Sequence, residues 1–250
     1  MSTYATTKLP APLYNTPNFP HFQSKFERDH QGLLKSVEVI ILPGTKLTVI
    51  KKVALHVCEI KTVDYSSSTP LYIDSRFFEQ ASKETPEREK HLPLPAEIIT
   101  FLRSTVGVRY FWGGNWAEGI PEMSHFYPQF TSTEDQDDVI CKGMDCSGLL
   151  YQATNGFTPR NTTQLCRYGQ ELQIDQNSPS AVQQVVKPLD MMVWKGHVIF
   201  ALDSDHVIES VVGRGVIISD FIERYSFFLN KLRAEKQPFF LRRWHPHFLT

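Results

Sequence analysis

Met144-Asp145-Cys146-Ser147-Gly148-Leu149-Leu150 opens an apolar, helix-like stretch that runs to about Thr154, and a second follows Arg160-Asn161-Thr162-Thr163-Gln164. Strand-like runs come only after these: Met191-Met192-Val193-Trp194, His197 to Leu202, His206 to Ser210, Gly215 to Ile218 and a closing Phe239 to Trp244. Helices first and an antiparallel sheet afterwards is the order of an α+β domain. The opening run also places a thiol where chemistry can use it. Unpaired backbone N–H groups and the helix dipole at a first turn favour negative charge, which suits Cys146 to the role of nucleophile.

Three further cysteines have ordinary settings for small packed thiols: Cys58 in a strand-like run from Val53 to Ile60, Cys141 in a polar connector and Cys166 in a helical stretch. A nucleophilic cysteine needs a base within hydrogen-bond reach and a third group to orient that base. Of nine histidines, His197 is best placed, opening an apolar strand directly after Lys195-Gly196. His206 in the adjoining run is the second choice, while His245 and His247, flanking Pro246, read as surface residues. No His/Glu or paired-cysteine spacing suggests a metal, and no cofactor is expected.

With 250 residues, 41% hydrophobic and 21% charged, the chain has the composition of a globular protein with one large domain or two small ones. Its net charge of -1 lacks the basic excess that phosphate backbones require, so nucleic acid is not an expected partner. Residues Met1 to Pro10 have no apolar core of a secretory kind, and no run approaches a membrane span. The expectation is a cytoplasmic chain without a membrane partner. Scattered cysteines do not make a disulfide framework.

Residues 1–30, rich in proline and aromatics, read as an extended arm pinned by side chains such as Tyr14, Phe19, Phe22 and Phe26. Residues 31–82 turn to β, with Val37 to Ile41, a turn at Leu42-Pro43-Gly44-Thr45, then Leu47 to Ile50 and Val53 to Ile60. A small antiparallel barrel is expected there. The charged, proline-bounded stretch from Glu79 to Pro95 is the linker candidate, with the linker proper over 83–95. A helix should follow Pro95, with Ile98, Ile99, Phe101 and Leu102 on its apolar side. Residues 115–143 read as a long irregular insertion carrying Glu134, Asp135, Asp137 and Asp138.

Tyr110-Phe111-Trp112-Gly113-Gly114, Asp145-Cys146-Ser147-Gly148, Pro159-Arg160-Asn161-Thr162-Thr163-Gln164, Pro188-Leu189-Asp190-Met191 and Gly196-His197-Val198, in that order, resemble the NlpC-type family of papain-like murein peptidases. The likeness covers roughly residues 96–245, within a catalytic domain placed at 96–250, and Pro43-Gly44-Thr45 before an alternating run resembles the bacterial SH3-like domain that precedes such catalytic domains. The resemblance implies a papain-like domain in which Cys146 attacks a γ-D-glutamyl–diamino acid amide of a cell-wall stem peptide, with His197 as base and a thioester intermediate. It further implies that Tyr110, Trp112, Asp145, Ser147, Arg160, Asn161 and Thr162 line the substrate cleft. An attached SH3-like domain implies a walled cleft, short stem peptides with a free N-terminal L-Ala, and murein peptide recycling.

The sequence departs from the family pattern at particular places. The position that commonly carries a histidine as third polar residue is Glu209, a carboxylate that can hold an imidazole as the aspartate of a serine triad does; His206 is the alternative. Arg160-Asn161-Thr162 has a neutral residue where an aspartate usually meets the substrate amine, which removes a charge-assisted contact. The insertion replaces a short link and brings acidic residues that could supply that charge. Two other functions fit the same residues: a thiol amidase or acyltransferase on another acyl group, or an inactive peptide-binding module. Oligomeric state is not legible.

Overall fold

A computed structural model of the chain describes residues 3–19, 28–128 and 136–249. It divides into two compact units, residues 1–90 with 111–145, and residues 91–110 with 146–250. Among the described residues no helix is long and apolar enough to cross a membrane. Phe22, Phe26, Glu134 and Asp135, singled out in the sequence, lie outside the described residues.

The first unit is built on β1 (Thr3–Thr7), β2 (Ala11–Tyr14), β3 (Val37–Ile41), β4 (Lys46–Lys52), β5 (Val57–Lys61), β6 (Leu71–Asp74) and β7 (Phe78–Ala81). They form a seven-stranded sheet in the order β3-β2-β6-β5-β4-β1-β7, with antiparallel pairings. Residues 3–7 and 11–14, read as part of an arm, are thus strands of the sheet. Pro10 and Pro12 hide the alternation, yet Ala5 and Thr7 still point inward from β1. Thr7 also holds the Pro43-Gly44 turn: its hydroxyl donates to Leu42 O at 2.8 Å and accepts from Thr45 N at 3.0 Å.

Residues 53–56, expected as strand, instead turn the β4–β5 hairpin, where Val53 N and Val57 O pair at 2.7 Å. Residues 79–81, at the start of the expected linker stretch, lie in β7 and pair with β1.

The chain next makes α1 (Pro95–Ser104), part of the second unit, and then returns to the first. There the insertion carries β8 (Asn115–Trp116), α2 (Glu122–Phe126), α3 (Gln136–Val139) and β9 (Gly143–Met144), so it is not irregular throughout. Burial explains its order: Ile120, Met123, Tyr127, Val139 and Cys141 join the apolar cluster of Leu13, Val37 and Ile41. The fully buried Asn115 amide acts as an added strand residue, accepting from Ile40 N at 3.0 Å and donating to Ile40 O at 2.7 Å. Asp74 is buried with both Arg76 and the Tyr127 hydroxyl as partners, which ties α2 to β6.

The second unit continues with α4 (Cys146–Ala153), α5 (Thr162–Leu165), β10 (Gln170–Glu171), α6 (Pro179–Val185), β11 (Met191–Trp194), β12 (His197–Ala201), β13 (His206–Val211), β14 (Gly215–Asp220), α7 (Phe221–Ala234) and β15 (Phe239–Arg243). Its six-stranded sheet has the order β10-β15-β11-β12-β13-β14. The two units together make a mixed α and β protein with several sheets. The sequence reading lacked α6 and α7. Asp220 caps α7 by accepting from Glu223 N at 2.9 Å, and Phe221, Tyr225, Phe228, Leu229 and Leu232 bury its apolar stripe among Ile199, Val207 and Leu241.

Gly215, at φ +71, lies where a Cβ would stand 2.2 Å from Val108 O, so only glycine lets the stretch after α1 pair with β14. Val216 N donates to Val108 O at 2.8 Å across that approach. His245, read as a surface residue, is buried, with Nε2 3.2 Å from Pro93 O. The flanking aromatic residues and Pro246 fold the terminus back, which residue type alone did not reveal.

Candidate active site

Cys146 is the first residue of α4, and α4 packs against β12 and β13. His197 opens β12 across a tight connection from Trp194, with which it pairs in register. The backbone at Gly196 takes φ +107, a value that strains L side chains, and its N–H donates to Thr162 Oγ1 at 3.0 Å. Gln237 Nε2 donates to Lys195 O at 2.8 Å, so both residues of the turn are fixed. The Gly196 carbonyl lies 4.0 Å from Cys146 Sγ.

Side chains alternate along a strand, so His197 and Ile199 share a face of β12, as Val207 and Glu209 do on β13. The pairs Phe200–Ile208 and Ala201–Val207 continue to place Glu209 beside Ile199, diagonal to His197. His197 Nε2 and Glu209 Oε2 are 2.7 Å apart, and Cys146 acts with Glu209 in raising the imidazole. With Nε2 turned to the carboxylate, the nitrogen left for the sulfur is Nδ1. The rings of Trp194 and Phe228 flank the imidazole at 5.2 and 5.5 Å between centroids.

Glu209 is fully buried, and its other oxygen, Oε1, accepts from Arg224 Nε on α7. Burial alone would raise this carboxyl, but hydrogen bonds from His197 and Arg224 and their charges hold it below its ordinary value. Burial likewise opposes a charge on His197. Hydrogen bonds to Cys146 and Glu209, with their charges, outweigh it and push the imidazole up to about 9. The group therefore combines a thiol at a helix start, a basic imidazole and an ionised carboxylate, the parts required for nucleophilic attack on an acyl carbon.

The remaining sequence-selected residues have varied places. Arg160 is buried and donates to Ser147 Oγ at 2.9 Å, while Thr162 serves the Gly196 turn. Asn161 is the N-cap residue of α5 without a side-chain cap bond, and Tyr110 is half-buried. Trp112 and Asp145 belong to the first unit. There Lys35 Nζ lies 3.0 Å from the Trp112 ring centroid, and Asp145 Oδ2 accepts from Gly113 N at 3.1 Å. His206 is exposed and pairs with Asp203 at 2.9 Å, away from His197.

Cys58, Cys141 and Cys166 are buried, and burial raises each thiol, that of Cys141 to about 12. Among the described residues no group of three or more His, Cys, Asp or Glu is placed to hold a metal ion. Sequence reasoning missed Arg224. Its signal was an arginine within the apolar stripe of α7, one turn from both Phe221 and Phe228, where a solvated charge has no reason to sit.

No family model matches the chain, and no curated protein matches it. Among solved structures the chain is similar to NlpC2 from Trichomonas vaginalis, at 13% identity over 98% of this chain and 73% of that one, with a TM-score of 0.37. An NlpC/P60 family protein from Bacillus cereus is similar at 14% identity, over 98% and 64% of the respective chains, with a TM-score of 0.39. RipD from Mycobacterium tuberculosis, a non-catalytic NlpC/p60 domain protein with an adaptation to peptidoglycan binding, is similar at 20% identity over 61% and 98%, with a TM-score of 0.35.

Proposed function

We propose that this chain is a cysteine peptidase that cuts the γ-D-glutamyl–diamino acid amide of cell-wall stem peptides. The observation that carries the reaction type is the buried Glu209 carboxylate 2.7 Å from His197 Nε2, on an imidazole that Cys146 helps to raise. The substrate class rests on the motif resemblance of roughly residues 96–245. The β-rich region before it is proposed as the counterpart of the SH3-like domain, and recycling of short, soluble stem peptides as the setting.

In the proposed reaction His197 takes the Cys146 thiol proton, Sγ adds to the γ-glutamyl carbonyl carbon, the C–N bond breaks, and the resulting imidazolium gives its proton to the departing amine. Water, losing a proton to His197, then attacks the thioester, releasing the acid and restoring the thiol. Glu209 keeps the ring oriented and balances its charge in both steps. Arg160 acts behind Ser147 rather than on the peptide, since its guanidinium is buried there. Neutral Asn161 leaves the substrate amine without an ionic partner at that position.

Mass spectrometry of a panel of stem peptides tests the scissile bond, alongside labelling by a cysteine-reactive probe. The expected result is cleavage after γ-D-Glu, with labelling at Cys146 that requires His197. Cys146→Ala and His197→Ala should each abolish turnover, and the double variant should be hardly worse than either single one, because the pair acts as one unit. Acyl transfer to an added amine in place of hydrolysis would instead identify an acyltransferase. No cleavage and unselective labelling would sink the enzyme reading.

A further inference from the structure

We propose that Arg224 is a positioning residue of this site, whose guanidinium holds the buried Glu209 carboxylate so that its second oxygen stays aimed at His197 Nε2. The inference rests on the hydrolase reading above for its kinetic consequence, but not for its geometry. Arg224 Nε donates to Glu209 Oε1, while Oε2 is 2.7 Å from the imidazole, so the carboxylate is held from both ends.

The Arg224 side chain is only 15% exposed, and its guanidinium lies over the Phe228 and Phe227 rings, 4.4 and 5.0 Å from their centroids. Phe228 is the same ring that flanks His197. One helix thus supplies both the counter-charge of Glu209 and a wall for the imidazole.

The physical need is plain. A fully buried carboxylate without a cation would take up a proton or turn toward any donor, and in either state it ceases to orient the histidine. A planar guanidinium on an aromatic face fixes direction as well as charge, which an ammonium does not. The strongest charged and titratable influences on the pair are Cys146 from α4, Arg224 from α7, and His197 and Glu209 on each other. Removing Arg224 therefore takes away the cation that holds Glu209 and, through Glu209, weakens the charge that raises His197.

The test is an NMR titration of His197 and the Glu209 carboxyl in the full chain, for the wild type, Arg224→Met, Arg224→Lys and Glu209→Gln, with kcat and KM on a stem peptide across pH. In Arg224→Met the Glu209 carboxyl should titrate at higher pH than in the wild type, because losing the cation favours its proton, and His197 at lower pH, because a protonated or turned carboxylate no longer raises it. Its kcat should fall about ten- to a hundredfold, with KM little changed, as for a misdirected catalytic group. Arg224→Lys should restore the titration but only part of kcat.

Wild-type titrations and an unshifted pH profile in Arg224→Met would overturn the proposal, even with lower stability, since a merely structural ion pair predicts that result. If Arg224→Met does not fold, Arg224→Lys decides: full wild-type kcat there would overturn the aiming role. Should the wild type cut no peptide at all, the hydrolase reading fails alone, and the titrations still judge the clamp.

Discussion

Glu209 shows what one side chain does in this site. Its carboxyl is held below the ordinary 4.5 by His197 and Arg224 against the opposing effect of burial, and His197 is raised from 6.5 to about 9 by Cys146 and Glu209 against the same effect. A lowered acid stabilises the fold above its unfolded value and loses that contribution as pH falls through its native value. A raised base stabilises below its unfolded value and loses that contribution as pH rises through the native one. Both contributions are therefore complete between about pH 4.5 and 6.5, and the histidine part declines toward about 9. Glu209→Gln should lower Tm most within that window, with the gap closing on the alkaline side; a gap constant from pH 5 to 10 would contradict the assignment. Its kcat should also drop by about 10²- to 10⁴-fold at little change in KM, as when an orienting carboxylate is replaced by an amide. The motif resemblance pointed to Glu209 in the sequence, and strand alternation favours it, because slipping one residue along β13 reverses the face. Arg224 was not legible, since nothing local says which carboxylate a helix arginine will meet.

At the scale of elements, α4 and the strands β11 to β15 could be read from period and turn residues, whereas α6 and α7 were passed over. The period was present in Phe221, Tyr225, Phe228, Leu229 and Leu232, but Glu223, Arg224, Lys231 and Arg233 dilute the stripe. Tertiary burial decides such a helix, and burial depends on a sheet face that sequence does not display. Leu232, 1% exposed in the cluster with Val182 and Leu241, lies about two turns beyond Arg224 on α7. Leu232→Ala should cost about 2 to 5 kcal/mol through lost burial and the cavity left behind. Urea denaturation should show a lower midpoint at unchanged slope. A loss under about 0.5 kcal/mol, the range of surface substitutions, would mean that α7 is not anchored by this stripe.

For the whole chain, compact units and sequence order do not coincide. A boundary near residue 96 looks natural from the prolines before it, yet residues 111–145 group with the first ninety and residues 91–110 with the C-terminal part. The reason lies in burial: Phe111, Ile120, Met123, Tyr127, Val139 and Cys141 have their apolar neighbours among Leu13, Val37, Ile40 and Ile41. Linear reading shows that these residues are apolar without showing which half of the chain covers them. A fragment spanning residues 96–250, cut where the motif resemblance begins, would keep the candidate site but strip that cluster of its partners. Exposed apolar surface of this kind drives association and binds hydrophobic dyes. The fragment should therefore bind ANS strongly and elute as aggregate in gel filtration, whereas the intact chain should do neither. A monomeric fragment with native circular dichroism and no dye binding would show that residues 111–145 find their packing without residues 1–90, and would move the working boundary back to the prolines.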